Sequence, residues 1–265
     1  MGNGSTTIQD VTNADLTVHD VIAAHRQRIW DELALVAKPD SRFHFDFSSF
    51  IADFEGSDVC AEQIRTLDAY TGNDAPIFIT PDNSTEALRA QAMADGRQIL
   101  MTTYGIRRGF LLLDGKTVPA GDRRYAATLD GMDTYSKPVS MAELREGPMI
   151  KLLVTGGSAV SANGVRFGKG HGYFDLEWAM LSEIGVVDET SEIADVVHDC
   201  QFVDETLEGE DHDVRVDWII TPTRTLHVPN PGRTIGFIRW DWLTGTELEF
   251  LPPINELRAE RESRR

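Results

Sequence analysis

Residues 76–103 read P-I-F-I-T-P-D-N-S-T-E-A-L-R-A-Q-A-M-A-D-G-R-Q-I-L-M-T-T. Pro76–Thr80 is a short apolar run with β-branched residues, and it predicts a strand. Ser84–Asp95 carries the apolar spacing of a helix, and Gly96 follows as its C-terminal cap. Gln98–Thr103 predicts a second strand. A strand, a helix and a strand over this length form a βαβ unit, which demands a parallel pair and a right-handed crossover.

The same logic extends outward in both directions. Val18–Val36 predicts a helix capped by Thr17, with Val18, Val21, Ile22, Ile29, Trp30 and Leu33 along one stripe. Residues 39–58 read as an irregular connection and Cys60–Leu67 as a short helix. Gly109–Asp114 predicts a strand, and residues 116–139 are polar and expected to be loop-rich. Ile150–Val154 predicts a strand, Tyr173–Ile184 a helix closed by Gly185, and Ala194–Val197 and Val216–Thr221 further strands. Leu207–Asp213 is an acidic link. Residues 222–249 read as turns and short strands, broken by Pro229, Pro231 and Gly232, and Ile254–Arg265 as a charged helix. The expected fold is α/β, a single three-layer domain with a mostly parallel sheet flanked by helices. Residues 1–16 are expected to be a flexible tail, 17–250 the domain and 251–265 a terminal helix.

Composition narrows the function classes. The 265 residues are 41% apolar, as in a globular protein, and the formal net charge is −18. Such a field repels nucleic acid and anionic membranes, so neither is an expected partner. No apolar run approaches the roughly 20 residues needed to span a bilayer. With only Cys60 and Cys200, no disulfide framework is expected, and a cytoplasmic protein is predicted. His198-Asp199-Cys200 could be read as a nucleophile cluster, but neighbours along a strand point to opposite faces, adjacency alone makes no dyad, and both cysteines are read as structural.

In this acidic chain one segment gathers cations. Asn163–Glu177 reads N-G-V-R-F-G-K-G-H-G-Y-F-D-L-E, with Gly164, Gly168, Gly170 and Gly172 around Arg166 and Lys169. A strand, a glycine-rich basic loop and a helix build an anion site. Glycine lets backbone N–H groups approach the anion, and the helix N-terminus adds its dipole. The spacing is neither that of a P-loop nor that of a dinucleotide fingerprint. A flexible hairpin is the bland alternative. Asp175 would hold Mg²⁺ beside bound phosphates, or would simply complement the helix dipole.

The run Arg166, Gly168, Lys169, Gly170, Gly172, Tyr173, Asp175 resembles the R-x-G-x-G-x-G-Y-Y-D signature of the 5-formyltetrahydrofolate cyclo-ligase family. His212-Asp213-Val214-Arg215-Val216-Asp217-Trp218-Ile219-Ile220-Thr221 is similar to that family's H-D-x-x-x-D-x-I-I-T strand. Arg26-Gln27-Arg28-Ile29-Trp30, Thr221-Pro222-Thr223 and Gly236-Phe237-Ile238-Arg239-Trp240 resemble a divergent branch, the methenyltetrahydrofolate synthetase domain-containing proteins.

The resemblance implies an ATP- and Mg²⁺-dependent ligase of one-carbon metabolism. It would close 5-formyltetrahydrofolate to 5,10-methenyltetrahydrofolate with release of ADP and phosphate. The formyl oxygen attacks the γ-phosphate, and N10 of the folate then displaces phosphate. It implies catalytic roles for Arg166, Lys169 and Tyr173, and ligand contacts for Arg26, Gly168, Gly170, Gly172, Asp82 and Arg107. Asp175 and Asp217 would hold the metal. The partner is a small reduced folate, and the chain would be a monomer or homodimer. The chain departs from the family pattern at Ile22 (a lysine in the family), at Asp82-Asn83-Ser84-Thr85 (E-x-D-T), at Phe174 (a tyrosine) and at Gly156–Val160. The alternatives are a member that binds folate or nucleotide without catalysis, or one acting on another heterocycle. A sugar-phosphate isomerase-like activity rests on the scaffold alone.

Overall fold

The computed structural model of the chain describes residues 18–210, 213–233 and 235–264, with backbone alone for 18–25. The expected tail, the Thr17 cap and His212 lie outside the described residues.

In chain order the strands are β1 (Ile77–Ile79), β2 (Gln98–Thr102), β3 (Phe110–Asp114), β4 (Lys137–Val139), β5 (Leu152–Gly156), β6 (Ala159–Ser161), β7 (Arg166–Phe167), β8 (Glu192–Val196), β9 (Phe202–Val203), β10 (Trp218–Thr221) and β11 (Arg224–His227). The helices are α1 (Val18–Leu33), α2 (Ser57–Ile64), α3 (Asp68–Thr71), α4 (Glu86–Ala94), α5 (Arg123–Ala126), α6 (Leu129–Tyr135), α7 (Met141–Arg145), α8 (Tyr173–Glu183), α9 (Trp240–Leu243) and α10 (Pro252–Ser263). Eight strands form one sheet in the order β11-β10-β8-β5-β1-β2-β3-β4. The five from β10 to β2 are parallel, and β11, β3 and β4 are antiparallel at the two sides. The mostly parallel α/β fold expected from the sequence is the fold observed.

Helices cover both faces of this sheet, and that is why its central strands are apolar throughout. Ile77, Ile79, Ile99, Met101, Leu152 and Val154 join one core with Ile64 of α2 and Leu88, Ala92 and Met93 of α4. Phe78, Leu100 and Leu153, one residue out of phase, join the other with Trp178 and Leu181 of α8 and Ile254 and Leu257 of α10. This period of two places successive side chains in opposite layers. Gly96 and Gly185 take φ of 72° and 75° just beyond α4 and α8, as helix-ending glycines do.

Two expectations change. The 116–139 segment is not mainly loop: it holds α5, α6 and β4. Thr128 caps α6 through its side chain, and Ala126, Ala127 and Met132 pack into the first core. Tertiary burial stabilises turns too short to be helical alone. Between β5 and α8 the chain does not form a single loop. It makes a β6–β7 hairpin, to which β9 adds in parallel as a small second sheet. Gly164 turns that hairpin at φ 79°, and a Cβ there would lie 2.6 Å from the Val216 carbonyl. It is a structural glycine of the hairpin, not part of an anion loop.

Candidate functional site

A cleft of about 270 Å³ opens at the C-terminal ends of β1, β2 and β5, the edge at which open parallel sheets bind ligands. The glycine loop, the start of α8, Asp82, Tyr104 and Arg26 line it. One buried residue builds its base. The Arg89 guanidinium of α4 donates to the carbonyls of Thr80 (2.6 Å), Asp82 (2.9 Å) and Ala127 (2.7 Å) and to Thr85 Oγ1 (2.7 Å). Arg89 thereby fixes the turn after β1 that carries Asp82. Full burial pulls its pKa down to about 10.

The cationic side of the cleft is Arg26, Arg166 and Lys169. Arg166 lies on β7 rather than in a loop. It is 7% exposed, stacks 4.4 Å over the Phe174 ring and reaches Asp175 Oδ1 at 3.3 Å. The Arg166 and Arg26 Nε atoms are both buried without a hydrogen-bond partner. Lys169 Nζ stands 5.1 Å over the Tyr104 ring and has no ion pair among the described residues. Tyr104 is held in turn by its hydroxyl, which donates to the Ser49 carbonyl at 2.6 Å. The Arg26 guanidinium lies 3.8 Å from where a Gly170 Cβ would stand. Gly170 and Gly172 have φ of 96° and 66°, and Gly172 is the N-cap of α8. Both need the left-handed region that glycine adopts freely. Tyr173 stacks on His171 at 5.4 Å, and its hydroxyl would meet a Cβ at Gly105 at 3.4 Å. Burial, together with Lys169 and Arg26, lowers the His171 pKa.

Carboxyl groups form the rest. Asp82 Oδ2 accepts from Thr80 Oγ1 (2.7 Å) and from the Gly156 N–H (3.3 Å). Glu177 is 3% exposed and hydrogen-bonds Thr102; burial pushes its pKa up to about 8, so it is largely neutral near pH 7. Beneath the floor, Asp195 of β8 is fully buried. Neither of its carboxyl oxygens has a partner, and burial raises its pKa to about 7. Gly157 makes room for it: a Cβ there would lie 2.7 Å from Asp195 Oδ2.

Of the residues expected at the site, Arg26, Asp82, Arg166, Gly168, Lys169, Gly170, Gly172, Tyr173 and Asp175 all line this cleft. Two expected residues do not. Arg107 is exposed beside the cleft at the end of a turn and is not part of its lining. Asp217 is not placed to hold a metal in the cleft. It precedes β10, at the N-terminal edge of the sheet, where Arg233 pairs with it at 2.5 Å and the Ile193 N–H donates to it at 2.7 Å. A residue that begins a parallel strand lies a full strand length from the ligand edge, a signal the sequence already carried. Residues added by the structure are Thr102, Tyr104, Arg89 and Asp195. Nothing in their local pattern marks them: Thr102 meets Glu177, Tyr104 meets Ser49 and Arg89 meets Ala127 far along the chain, and Asp195 is set by its burial in β8.

His198 and Cys200 also differ from expectation. They lie in a tight turn, not along a strand, and His198 Nδ1 is 3.2 Å from Cys200 Sγ. Burial raises the thiol pKa to about 11 and lowers that of the histidine, so the pair holds no thiolate at neutral pH. The structural reading of Cys200 rests on this burial.

A metal fits this cleft in one way. Among the described residues no group of three His, Cys, Asp or Glu side chains could hold an ion. Asp175 accepts from Arg166 and from the Val214 N–H (3.0 Å) through Oδ1 alone. That leaves Oδ2 for a cation that takes its other ligands from phosphate and water, the habit of Mg²⁺.

The sequence that builds this fold and cleft matches a known family. The sequence profile of the 5-formyltetrahydrofolate cyclo-ligase family matches residues 21–222. The methenyltetrahydrofolate synthase domain-containing protein of Homo sapiens is 34% identical over 221 residues, 80% of this chain and 55% of its own length. That of Mus musculus is 34% identical over 243 residues, 89% of this chain and 63% of its own. The chain belongs to the 5-formyltetrahydrofolate cyclo-ligase family. It spans less than two thirds of the length of these relatives. The NMR structure of Aquifex aeolicus 5,10-methenyltetrahydrofolate synthetase superposes with a TM-score of 0.48 at 12% identity, over 82% of this chain and 97% of that one. No helix among the described residues is long and apolar enough to cross a membrane.

Proposed function

We propose that the chain is an ATP- and Mg²⁺-dependent cyclo-ligase that converts 5-formyltetrahydrofolate to 5,10-methenyltetrahydrofolate, working as a soluble cytoplasmic enzyme. The observation that carries this reading is the convergence of Arg26, Arg166 and Lys169 on Gly168–Gly172 and the N-terminus of α8 in an otherwise acidic protein. Among the described residues, two buried guanidinium Nε atoms without partners and a lysine without an ion pair are groups prepared for an anion.

Phosphoryl transfer asks the protein mainly for positioning and charge neutralisation. Lys169 and Arg26 would hold the terminal phosphates, with the Gly170 and Gly172 amides and the α8 dipole behind them. Arg166, oriented by Asp175 and Phe174, would meet the charge that develops on the transferred group. Asp175 Oδ2 would ligate Mg²⁺, which when bound draws off negative charge from the phosphates. Phe50, Ile51 and Tyr104 offer apolar contact to a ring, and neutral Glu177 offers it a hydrogen bond. Tyr173 would close the cleft over the reacting groups.

The purified protein given 5-formyltetrahydrofolate and MgATP should show the absorbance of the methenyl product together with equimolar ADP. Absence of both under conditions where MgATP binds would refute the activity and leave the nucleotide site. One observation favours a binding protein without turnover: the Asp82 carboxylate, which the resemblance matches to the glutamate of the family's E-x-D-T segment, is shorter and already engaged by Thr80 and Gly156. Folate binding with no ADP release over long incubation would support that second reading.

A further inference from the structure

A second cavity, of about 550 Å³, lies on the other side of the glycine loop. Gly170, His171, Gly172, Asp175 and Asp213 line both spaces, so the loop is the wall between them. The remaining walls come from α8 and from residues 233–248, beyond the span matched by the family profile. Trp178, Phe237, Ile238, Trp242 and Leu243 make the surface aromatic and apolar. Arg233 stacks 4.9 Å over Trp178, and Arg239 stacks 3.4 Å over Trp242. Phe237 and Trp242 remain 70% and 46% exposed at this cavity.

Volume separates the two spaces by task. Pockets for ligands of nucleotide or folate size run to roughly 300–1,000 Å³. The cleft, at about 270 Å³, is at or below the lower bound for one such ligand, and the proposed reaction joins two. The chemistry separates them as well. The cleft carries carboxyl groups, Asp82 and Glu177, that suit a ring edge rich in N–H donors. The second cavity offers aromatic faces and the Arg239 guanidinium, Arg233 being engaged by Asp217; these suit a planar ring whose edge nitrogens accept. Apart from Asp175 and Asp213 at the loop, no carboxylate lines it among the described residues.

We propose that the second cavity binds the purine base of the nucleotide whose phosphates lie on Gly168–Gly172, with Trp242 and Phe237 as its stacking surface. The inference rests on the phosphate reading of the loop given above. Segment 233–248 is then a nucleotide-binding element supplied from outside the family-matched region.

The test compares magnesium-ATP with magnesium-tripolyphosphate, which carries the charge without the base. Affinities are measured by calorimetric titration on the full chain. Wild-type protein should bind ATP at least tenfold more tightly than tripolyphosphate. Trp242→Ala and Phe237→Ala should each remove about tenfold of the ATP affinity, as loss of base stacking does, and leave tripolyphosphate within twofold. Ala179→Phe, which fills the cavity from α8, should act alike and covers the case in which an aromatic deletion fails to fold. Equal affinity of the wild type for the two ligands, or unchanged ATP affinity in the folded variants, overturns the base site and leaves the phosphate site standing. Parallel loss of both ligands also overturns it, because the segment would then only support the loop. Loss of 5-formyltetrahydrofolate binding in place of ATP binding overturns it in favour of a folate site. Failure of the wild type to bind either polyphosphate overturns both this inference and the phosphate reading.

Discussion

Asp195→Asn should make the protein more stable, and by an amount that grows with pH. The carboxyl is fully buried without a hydrogen-bond partner, and its native pKa stands at about 7 against an ordinary 3.8. The folded chain therefore holds a proton that the unfolded chain releases. The stability tied to that proton is fully present below pH 3.8 and is lost as pH rises through about 7. At about 1.4 kcal/mol per pH unit, the complete loss is about 4 kcal/mol, of which about 3 falls between pH 5 and pH 8. Asparagine keeps the shape and removes the ionisation. Urea unfolding followed by tryptophan fluorescence, at several pH values for both proteins, measures the difference directly. Other carboxylates titrate equally in the two and cancel. The stability gap between variant and wild type should widen by about 3 kcal/mol over that interval. A gap that stays constant with pH would show that Asp195 is ionised and solvated in the native state, and the reasoning from burial would fail.

Further outcomes are expected. Lys169→Ala should weaken MgATP binding or turnover at least tenfold, measured by titration and ADP release, with melting temperature little changed because the side chain makes no ion pair among the described residues. Arg89→Met should cost about 3 kcal/mol or more in urea unfolding, since it strands the carbonyls of Thr80, Asp82 and Ala127; a neutral effect would mean that water replaces the guanidinium. Asp217→Ala should lower the melting temperature by leaving Arg233 unpaired, while the Mg²⁺ concentration needed for half-maximal activity stays the same. A shifted Mg²⁺ requirement would restore Asp217 as a metal ligand.

The sequence was informative where chemistry is local. The runs Ile77–Ile79, Gln98–Thr102 and Leu152–Gly156 are apolar because both faces of the sheet are covered, and that pattern needs no knowledge of neighbours. Gly96, Gly170, Gly172 and Gly185 advertise positive φ by residue type, and each has it. The β6–β7 hairpin was hidden because Ala159–Ser161 is too short and too polar in its surroundings to be periodic. Asp217 lies away from the cleft because it precedes β10, at the opposite end of a parallel strand, which residue type alone does not convey. Arg89 carries no local mark of its role; only the path of the chain after β1 buries it.

The small sheet has a kinetic meaning. The glycine loop hangs from β7, and β7 is held by β6, which pairs with β9 only after the chain has passed through α8 and β8. Leu207 and Asn163 join the same staple, the Asn163 amide donating to the Leu207 carbonyl at 3.0 Å. Val160 of β6 meets Phe202 of β9, whereas Phe78 of β1 must meet Leu153 of β5, so the small sheet closes a shorter loop than the centre of the main sheet does. Competence to hold phosphate should thus appear together with the main sheet during refolding, so that a fluorescent ATP analogue in stopped flow would rise with the tryptophan signal.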